Sequence, residues 1–283
     1  MWFINSKYYQ AFKRRLPSTL YNFMLSIYFK FNSRKFKGEK LYCPVCELSS
    51  AYFPSNVCGR CLSGVRHRIV TLFLKRKTTL FTSKHRFLHF APEYGLGRVL
   101  KKQKNISYLS ADFNSPRAMK KVDMMKTPFK DNTFDAVLSI DVLDDIPDDH
   151  KAITELYRIL KPGGWSIHLA PLDKNRELTY EDPTITSPEE RNKHFNAYAN
   201  WRIYGKDYPL RFTDKGFTHH VFKTKEFCST KEIEKMKIDP EFEIYLFKKP
   251  SGLSVKTRLN NVTSFLVWQF LNTEPLQQLP LMI

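Results

Sequence analysis

Cys43-Pro44-Val45-Cys46 and Cys58-Gly59-Arg60-Cys61 are two CxxC knuckles with eleven residues between them. Thiolates are soft ligands, and four of them satisfy tetrahedral Zn2+. Pro44 and Gly59 help each knuckle turn back on a metal. Four cysteine ligands leave no position for water, so the spacing predicts a structural zinc and not a catalytic one. The gap is shorter than the ~15–20 residues usual for this arrangement, and Tyr52-Phe53 within it have room to cover the metal. Cys228 has no partner at a ligand spacing and reads as an ordinary buried cysteine. A second set of chemistry-bearing residues is acidic: Asp112, Asp123 and Asp141 each follow a short apolar segment.

Those carboxylates need a frame. From Arg86 onward short apolar runs alternate with helical patterns. Phe87–Phe90, Ile106–Ala111, a segment closed by Val122, Phe134–Ile140 and Trp165–Ala170 read as strands. Residues 63–80, Gly95–Lys101 and Asp148–Leu160 read as helices, the last with Ala152, Leu156, Ile159 and Leu160 on one face. Lys161-Pro162-Gly163-Gly164 is expected to stop that helix. The alternation predicts an α/β fold, a parallel sheet with helices on both faces. Ligands of such sheets sit outside the carboxyl ends of the strands, where the three aspartates fall.

The 283 residues hold 46 Lys and Arg against 28 Asp and Glu, a net charge of +18. Residues 1–86 carry 17 basic and 2 acidic groups, so most of the excess lies in the first third. Such a surface suits nucleic acid, anionic lipid or a phosphorylated substrate. A hydrophobic content of 42% excludes global disorder, and an odd cysteine count argues against a secreted disulfide scaffold. No run reaches the ~18 apolar residues of a membrane span, and no secretory leader is recognisable, which gives a cytoplasmic expectation. Four parts are expected: a basic aromatic leader at 1–40, a zinc ribbon with its connecting helix at 41–80, the α/β domain at 81–250 and a tail at 251–283 with a helix over Thr257–Leu271. Leu20, Phe23, Met24, Ile27, Tyr28 and Phe31 draw one helical stripe in the leader. Core packing is the commoner fate of such a stripe; the basic run from Lys30 to Lys40 also suits an anionic bilayer surface.

The run from Val122 to Pro171 resembles the central block of class I S-adenosylmethionine-dependent methyltransferases. It combines an Asp ending the third strand, a PF-x-DNTFD turn into the fourth, and LYRILKPGG before the fifth. A narrower resemblance is to bacterial methyltransferases with an N-terminal zinc ribbon. It is carried by CGRCLSGVRHR (Cys58 to Arg68), LHFAPE (Leu88 to Glu93), Thr179-Tyr180-Glu181-Asp182, Pro188-Glu189-Glu190-Arg191, and Arg202 to Tyr208. The resemblance implies a Rossmann-like class I methyltransferase sheet with helices on both faces, preceded by a small zinc ribbon, and S-adenosylmethionine as cofactor.

It further implies residue roles. Asp112 would face the ribose hydroxyls, Asp123 the adenine amine, and Met124 the adenine ring. The loop from Ala91 through Glu93 to Gly95 would pass the methionine moiety, with backbone N–H groups at a helix start facing its carboxylate. Asp141 would lie near the sulfonium, and Arg202, Tyr204 and Asp207 would form the acceptor pocket. Two departures stand out. Asp145 occupies the place of a family His in Leu143-Asp144-Asp145-Ile146-Pro147, and Asn200 stands where the family has an Asp-His pair. Asp145 is therefore the first candidate for a base, ahead of Asp141 and His194.

Three functions fit these residues. One is a methyltransferase acting on a small-molecule or glycan/lipid-linked acceptor, with peripheral contact to an anionic membrane through residues 1–40. A second is an RNA methyltransferase gripping phosphates with the basic front end. A third is a non-catalytic binding protein on the same fold. A nicotinamide enzyme is disfavoured, because no GxGxxG follows the first strand.

Overall fold

The computed structural model describes residues 33–252, together with Leu20, Phe23, Met24, Ile27 and Phe31. The tail helix expected over Thr257–Leu271 lies outside the described residues. Chain order begins with a hairpin, β1 (Leu41–Cys43) and β2 (Leu48–Ser50), that carries the first knuckle. Helix α1 (Val65–Lys77) follows the second knuckle. Then come β3 (His85–Phe90), α2 (Tyr94–Lys101), β4 (Ile106–Asp112), β5 (Lys120–Lys121), β6 (Phe134–Ile140), α3 (Asp149–Ile159) and β7 (Leu160–Leu169). The remainder comprises β8 (Tyr180–Glu181), α4 (Pro188–Phe195), β9 (Arg202–Ile203), α5 (Leu210–Thr213), β10 (Thr218–Lys223), α6 (Thr230–Met236) and β11 (Glu243–Lys248).

Seven strands form one sheet in the order β10-β11-β7-β6-β3-β4-β5. The order reverses at β3, so β3 and β6 flank a switch point, the place where open α/β sheets bind ligands. Alternation along each strand splits the core between two faces. Phe87, Leu138, Ile167 and Leu246 join α1, α2 and Met236 of α6 on one face. Leu88, Val137 and Phe247 join Ala152, Leu156 and Phe212 of α3 and α5 on the other.

Two expectations are corrected. The sheet is mixed: β11 runs antiparallel to β7 and to β10. Side-chain alternation marks a strand but carries no information on its direction. The helix stops ahead of the Lys161–Gly164 run as expected, but the strand expected from Trp165 starts earlier and contains that run. The helix ends at Ile159, and β7 already begins at Leu160. Gly163, at φ 79°, donates its N–H to Lys249 O at 2.8 Å, and Gly164 O accepts from Lys249 N at 2.9 Å. The left-handed glycine accommodates the irregular register between β6 and β7. The helix start agrees better: Asp148 caps α3 by accepting from Lys151 N at 3.0 Å.

The five described leader residues are helical and exposed, from 41% for Ile27 to 62% for Phe31, so these members of the stripe are not buried in the core; Tyr28 lies outside the described residues. Phe23 borders a surface cavity shared with Pro92, Tyr94 and Tyr108. Among the described residues, no helix is long and apolar enough to cross a membrane.

Candidate cofactor cavity and cysteine cluster

A cavity of about 420 Å3 opens at the carboxyl ends of β3, β4, β5 and β6. Its wall brings together Ala91, Asp112, Asp123, Met124, Asp141 and Asp145, six of the residues predicted to act on a ligand. Its volume lies within the ~300–1,000 Å3 range of small-molecule sites. Phe113, Val142, Pro147 and Trp201 complete the lining.

Asp112 and Asp123 share one device. Asp112 Oδ1 accepts the N–H groups of Asn114 and Ser115 at 2.7 and 2.5 Å. Asp123 Oδ1 accepts from Met125 N at 2.8 Å. Each carboxylate thus shapes its own turn with one oxygen. Each Oδ2 takes no hydrogen bond from the described residues and is free for a ligand hydroxyl or amine. Turn forming and ligand binding, alternatives for an aspartate in sequence, coexist here in one side chain.

Two backbone turns at the cavity are strained. Ala91 after β3 has φ 48°, and Asp141 after β6 has φ 53°. Non-glycine residues enter this region at a cost of ~1–3 kcal/mol and concentrate at functional sites. The Asp141 carboxylate is ion-paired with Arg66 of α1. Burial raises the Asp141 carboxyl above its ordinary range, against the lowering effect of Arg66. Asp145 is also raised, by burial and by the neighbouring Asp141. Asp144, 5% exposed, is pushed up to about 7 by burial and by Asp145, and its Oδ1 has no hydrogen-bond partner among the described residues.

Several expected site residues stand elsewhere. Glu93 does not line this cavity; it precedes α2 and faces His89 Nε2 at 3.0 Å and His67 Nε2 at 3.7 Å. Burial raises its carboxyl, but the two histidines outweigh that and hold it below the ordinary range. Gly95 packs on the cysteine cluster, where a Cβ would come within 2.6 Å of Ser63 Oγ and 2.7 Å of Cys61 O. The start of α2 therefore turns toward the ribbon. His194 is engaged with Tyr180 Oη at 2.7 Å, away from the cavity lining.

Arg202, Tyr204 and Asp207 do not form an open acceptor pocket. Arg202 is 3% exposed and donates to the carbonyls of Leu143, Ile146 and Pro147 at 2.7–2.8 Å and to Glu181 at 2.8 Å. Tyr204 is fully buried and donates to Asp149 Oδ2 at 2.7 Å. Asp207 accepts Thr179 N and Oγ1 at 2.8 and 2.7 Å. The polar atoms of Arg202 and Tyr204 are consumed internally, Asp207 spends its Oδ1 on Thr179, and Arg202 clamps the segment that carries Asp145. Trp201 was missed; it lines the cavity, donates its N–H to Asp144 O at 2.7 Å, and stacks under Arg191 at 4.3 Å. A lone tryptophan outside any periodic segment gave no sequence signal.

The sulfur atoms of Cys43, Cys46, Cys58 and Cys61 all lie within 4.8 Å of one another. Cys43–Cys61 and Cys46–Cys58 are 3.6 and 3.7 Å apart. Four sulfurs at ~2.3 Å from one Zn2+ are separated by about 3.8 Å, so the donor set fits tetrahedral zinc in type and spacing. Cys228 is buried against α1 and makes no part of this cluster.

A protein-family profile described as a methyltransferase domain matches residues 98–168. Demethylmenaquinone methyltransferase of Listeria welshimeri is 29% identical over 130 residues, covering 45% of this chain and 49% of the relative. Cycloartenol-C-24-methyltransferase 1 of Oryza sativa is 54% identical over 43 residues, covering 15% of this chain and 12% of the relative. The chain thus spans about half the length or less of these curated relatives. Among solved structures, the YcgJ protein of Bacillus subtilis aligns at 14% identity and TM-score 0.43, covering 64% of this chain and 98% of that one. Phosphoethanolamine N-methyltransferase 2 of Haemonchus contortus, in complex with S-adenosyl-L-methionine, aligns at 16% identity and TM-score 0.41, covering 66% and 53%. Residues 98–168 thus match a methyltransferase domain, within a Rossmann-like α/β fold whose central sheet is mixed.

Proposed function

We propose that this protein binds S-adenosylmethionine in the cavity at the ends of β3–β6 and transfers its methyl group to a small-molecule or glycan/lipid-linked acceptor. The convergence of Asp112, Asp123, Asp141 and Asp145 on one cavity at the switch point carries this reading. The free oxygens of Asp112 and Asp123 suit the ribose hydroxyls and the adenine amine, and buried Met124 suits an aromatic face. S-adenosylmethionine supplies an electrophilic methyl group; the protein's part is chiefly alignment of acceptor and methyl. Asp145, in the cavity wall with a raised carboxyl pKa, is the group best placed to receive an acceptor proton. Zinc in the cysteine cluster is structural, since four thiolates fill its coordination. The exposed leader stripe beside basic residues supports peripheral docking on an anionic membrane.

Calorimetric titration with S-adenosylhomocysteine tests the cofactor site. Wild type is expected to bind, and Asp112→Ala and Asp123→Ala are each expected to weaken binding by roughly 10-fold or more, the loss of one charge-assisted hydrogen bond. Folded wild type that does not bind would end the methyltransferase reading.

A further inference from the structure

We propose that the helix leaving the cysteine cluster is part of the cofactor site. In this reading Arg66 and His67 are positioning residues that hold the two strained turns of the cavity wall, so the cluster sets cofactor affinity without touching the cofactor. The inference rests on the cofactor reading above.

Three consecutive residues at the start of α1 leave the helix in three directions, as a 3.6-residue period requires. Arg66 reaches across to Asp141, the strained turn after β6. His67 Nε2 lies 3.7 Å from buried Glu93, two residues after Ala91, the strained turn after β3, and His89 Nε2 lies 3.0 Å from the same carboxylate. The His67 ring is fixed on its other side, where Nδ1 accepts from Gly64 N at 3.0 Å. That bond leaves Nε2 to carry the proton and face the carboxylate. Arg68 points back into the ribbon. It donates to Asn56 O and Ser63 O at 2.9 Å each, and its guanidinium lies 4.6 Å from the Phe53 ring centre. Ser63 in turn accepts from Cys61 Sγ at 3.2 Å through its hydroxyl, and from Cys58 N at 3.0 Å through its carbonyl.

A continuous path therefore runs from the cysteines through Ser63 and Arg68 to α1, and from α1 to both turns. The Arg66–Asp141 pair is partly exposed, at 35% and 44% of the side chains. Screened pairs of this kind add little to folding stability. Their use is geometric: the backbone of each turn is tied to the neighbouring strand, Ala91 N to Ala111 O at 2.9 Å and Asp141 N to Leu169 O at 2.8 Å, and the side-chain contacts from α1 add a hold on the Asp141 and Glu93 side chains. The arrangement also accounts for the cysteine-cluster helix sharing its faces with the methyltransferase sheet instead of standing apart from it.

The test compares wild type, Arg66→Ala, Arg66→Lys, Asp141→Ala, the Arg66→Ala/Asp141→Ala double variant and His67→Gln. Each is titrated with S-adenosylhomocysteine, with metal content and melting temperature measured in parallel. Arg66→Ala is expected to weaken binding by about 10-fold, the low end for loss of a supporting contact, with metal content and melting temperature unchanged. Arg66→Lys should recover most of the affinity. In the Asp141→Ala background, Arg66→Ala should change affinity by no more than about twofold, because the two act as one unit. His67→Gln keeps a polar group toward Glu93 and should fall between wild type and Arg66→Ala. Wild-type binding with an unaffected Arg66→Ala would overturn this inference alone, as would an undiminished Arg66→Ala effect in the Asp141→Ala background. Wild type that does not bind would instead remove the cofactor reading on which it stands.

Discussion

The carboxyl ends of β3–β6 and the segment that follows β7 are both rich in charged residues, yet they treat those residues in opposite ways. At the strand ends, Asp112 and Asp123 each spend one oxygen on a local turn and leave the other toward a cavity. After β7, buried Arg202, Tyr204 and Arg211 and the more exposed Glu181 form a network with Asp149 of α3 in which the charged groups find each other. Arg211 lies 2.9 Å from Asp149 and 2.7 Å from Glu181. A polar residue with a spare atom at a cavity is a binding group; the same residue with its atoms consumed is a brace. The brace still serves the site, since Arg202 holds the carbonyls of 143–147, beside Asp145.

The contrast can be broken at several strengths. The largest effect lies in the metal. Structural zinc contributes on the order of 10 kcal/mol in small domains, so chelation or Cys43→Ser should lower the melting temperature sharply and abolish S-adenosylhomocysteine binding together. Retention of full binding after verified metal loss would separate ribbon from sheet. Next comes the brace: Asp149→Ala leaves the Tyr204 hydroxyl without its acceptor and Arg211 paired with Glu181 alone, and should cost about 1–3 kcal/mol in denaturant unfolding.

A pH effect of intermediate size is expected from Asp144, whose folded pKa of about 7 lies above the ordinary 3.8. The folded state holds this proton more tightly than the unfolded one. The stability it contributes is present below about pH 4 and is lost as pH rises through 7. Asp144→Asn should remove that slope and make the protein more stable than wild type at pH 8, by on the order of 2–4 kcal/mol. Urea unfolding at pH 5 and pH 8 reads it; a wild-type slope of opposite sign would contradict the burial argument. The smallest effect on folding belongs to Asp112→Asn, which keeps the turn-forming oxygen. It should change stability by no more than ~0.5 kcal/mol while weakening S-adenosylhomocysteine binding about 10-fold, equal to 1.4 kcal/mol.

Much of this site could be read from residue order. The strands Phe134–Ile140 and Ile106–Asp112, the helix capped by Asp148 and the four-cysteine cluster all follow from local periodicity, capping and spacing. The cavity aspartates were legible because strand ends are where such sheets bind ligands. What escaped was relational. Nothing in the Arg202–Asp207 stretch says whether its polar atoms point into a pocket or into Asp149 and Thr179. Glu93 and Gly95 lie at the start of α2, in a stretch that resembles a cofactor loop, yet tertiary packing turns them toward His67 and Cys61. Trp201 reaches the cavity through a long-range contact with Asp144 that no local pattern encodes.

Hydrogen–deuterium exchange of the intact protein with and without S-adenosylhomocysteine tests the division of labour most directly. The account predicts new protection in residues 90–93, 112–114, 122–125 and 141–147, with residues 176–195 and 203–211 unchanged. Protection centred on 203–211 with none at 112–114 and 122–125 would contradict it.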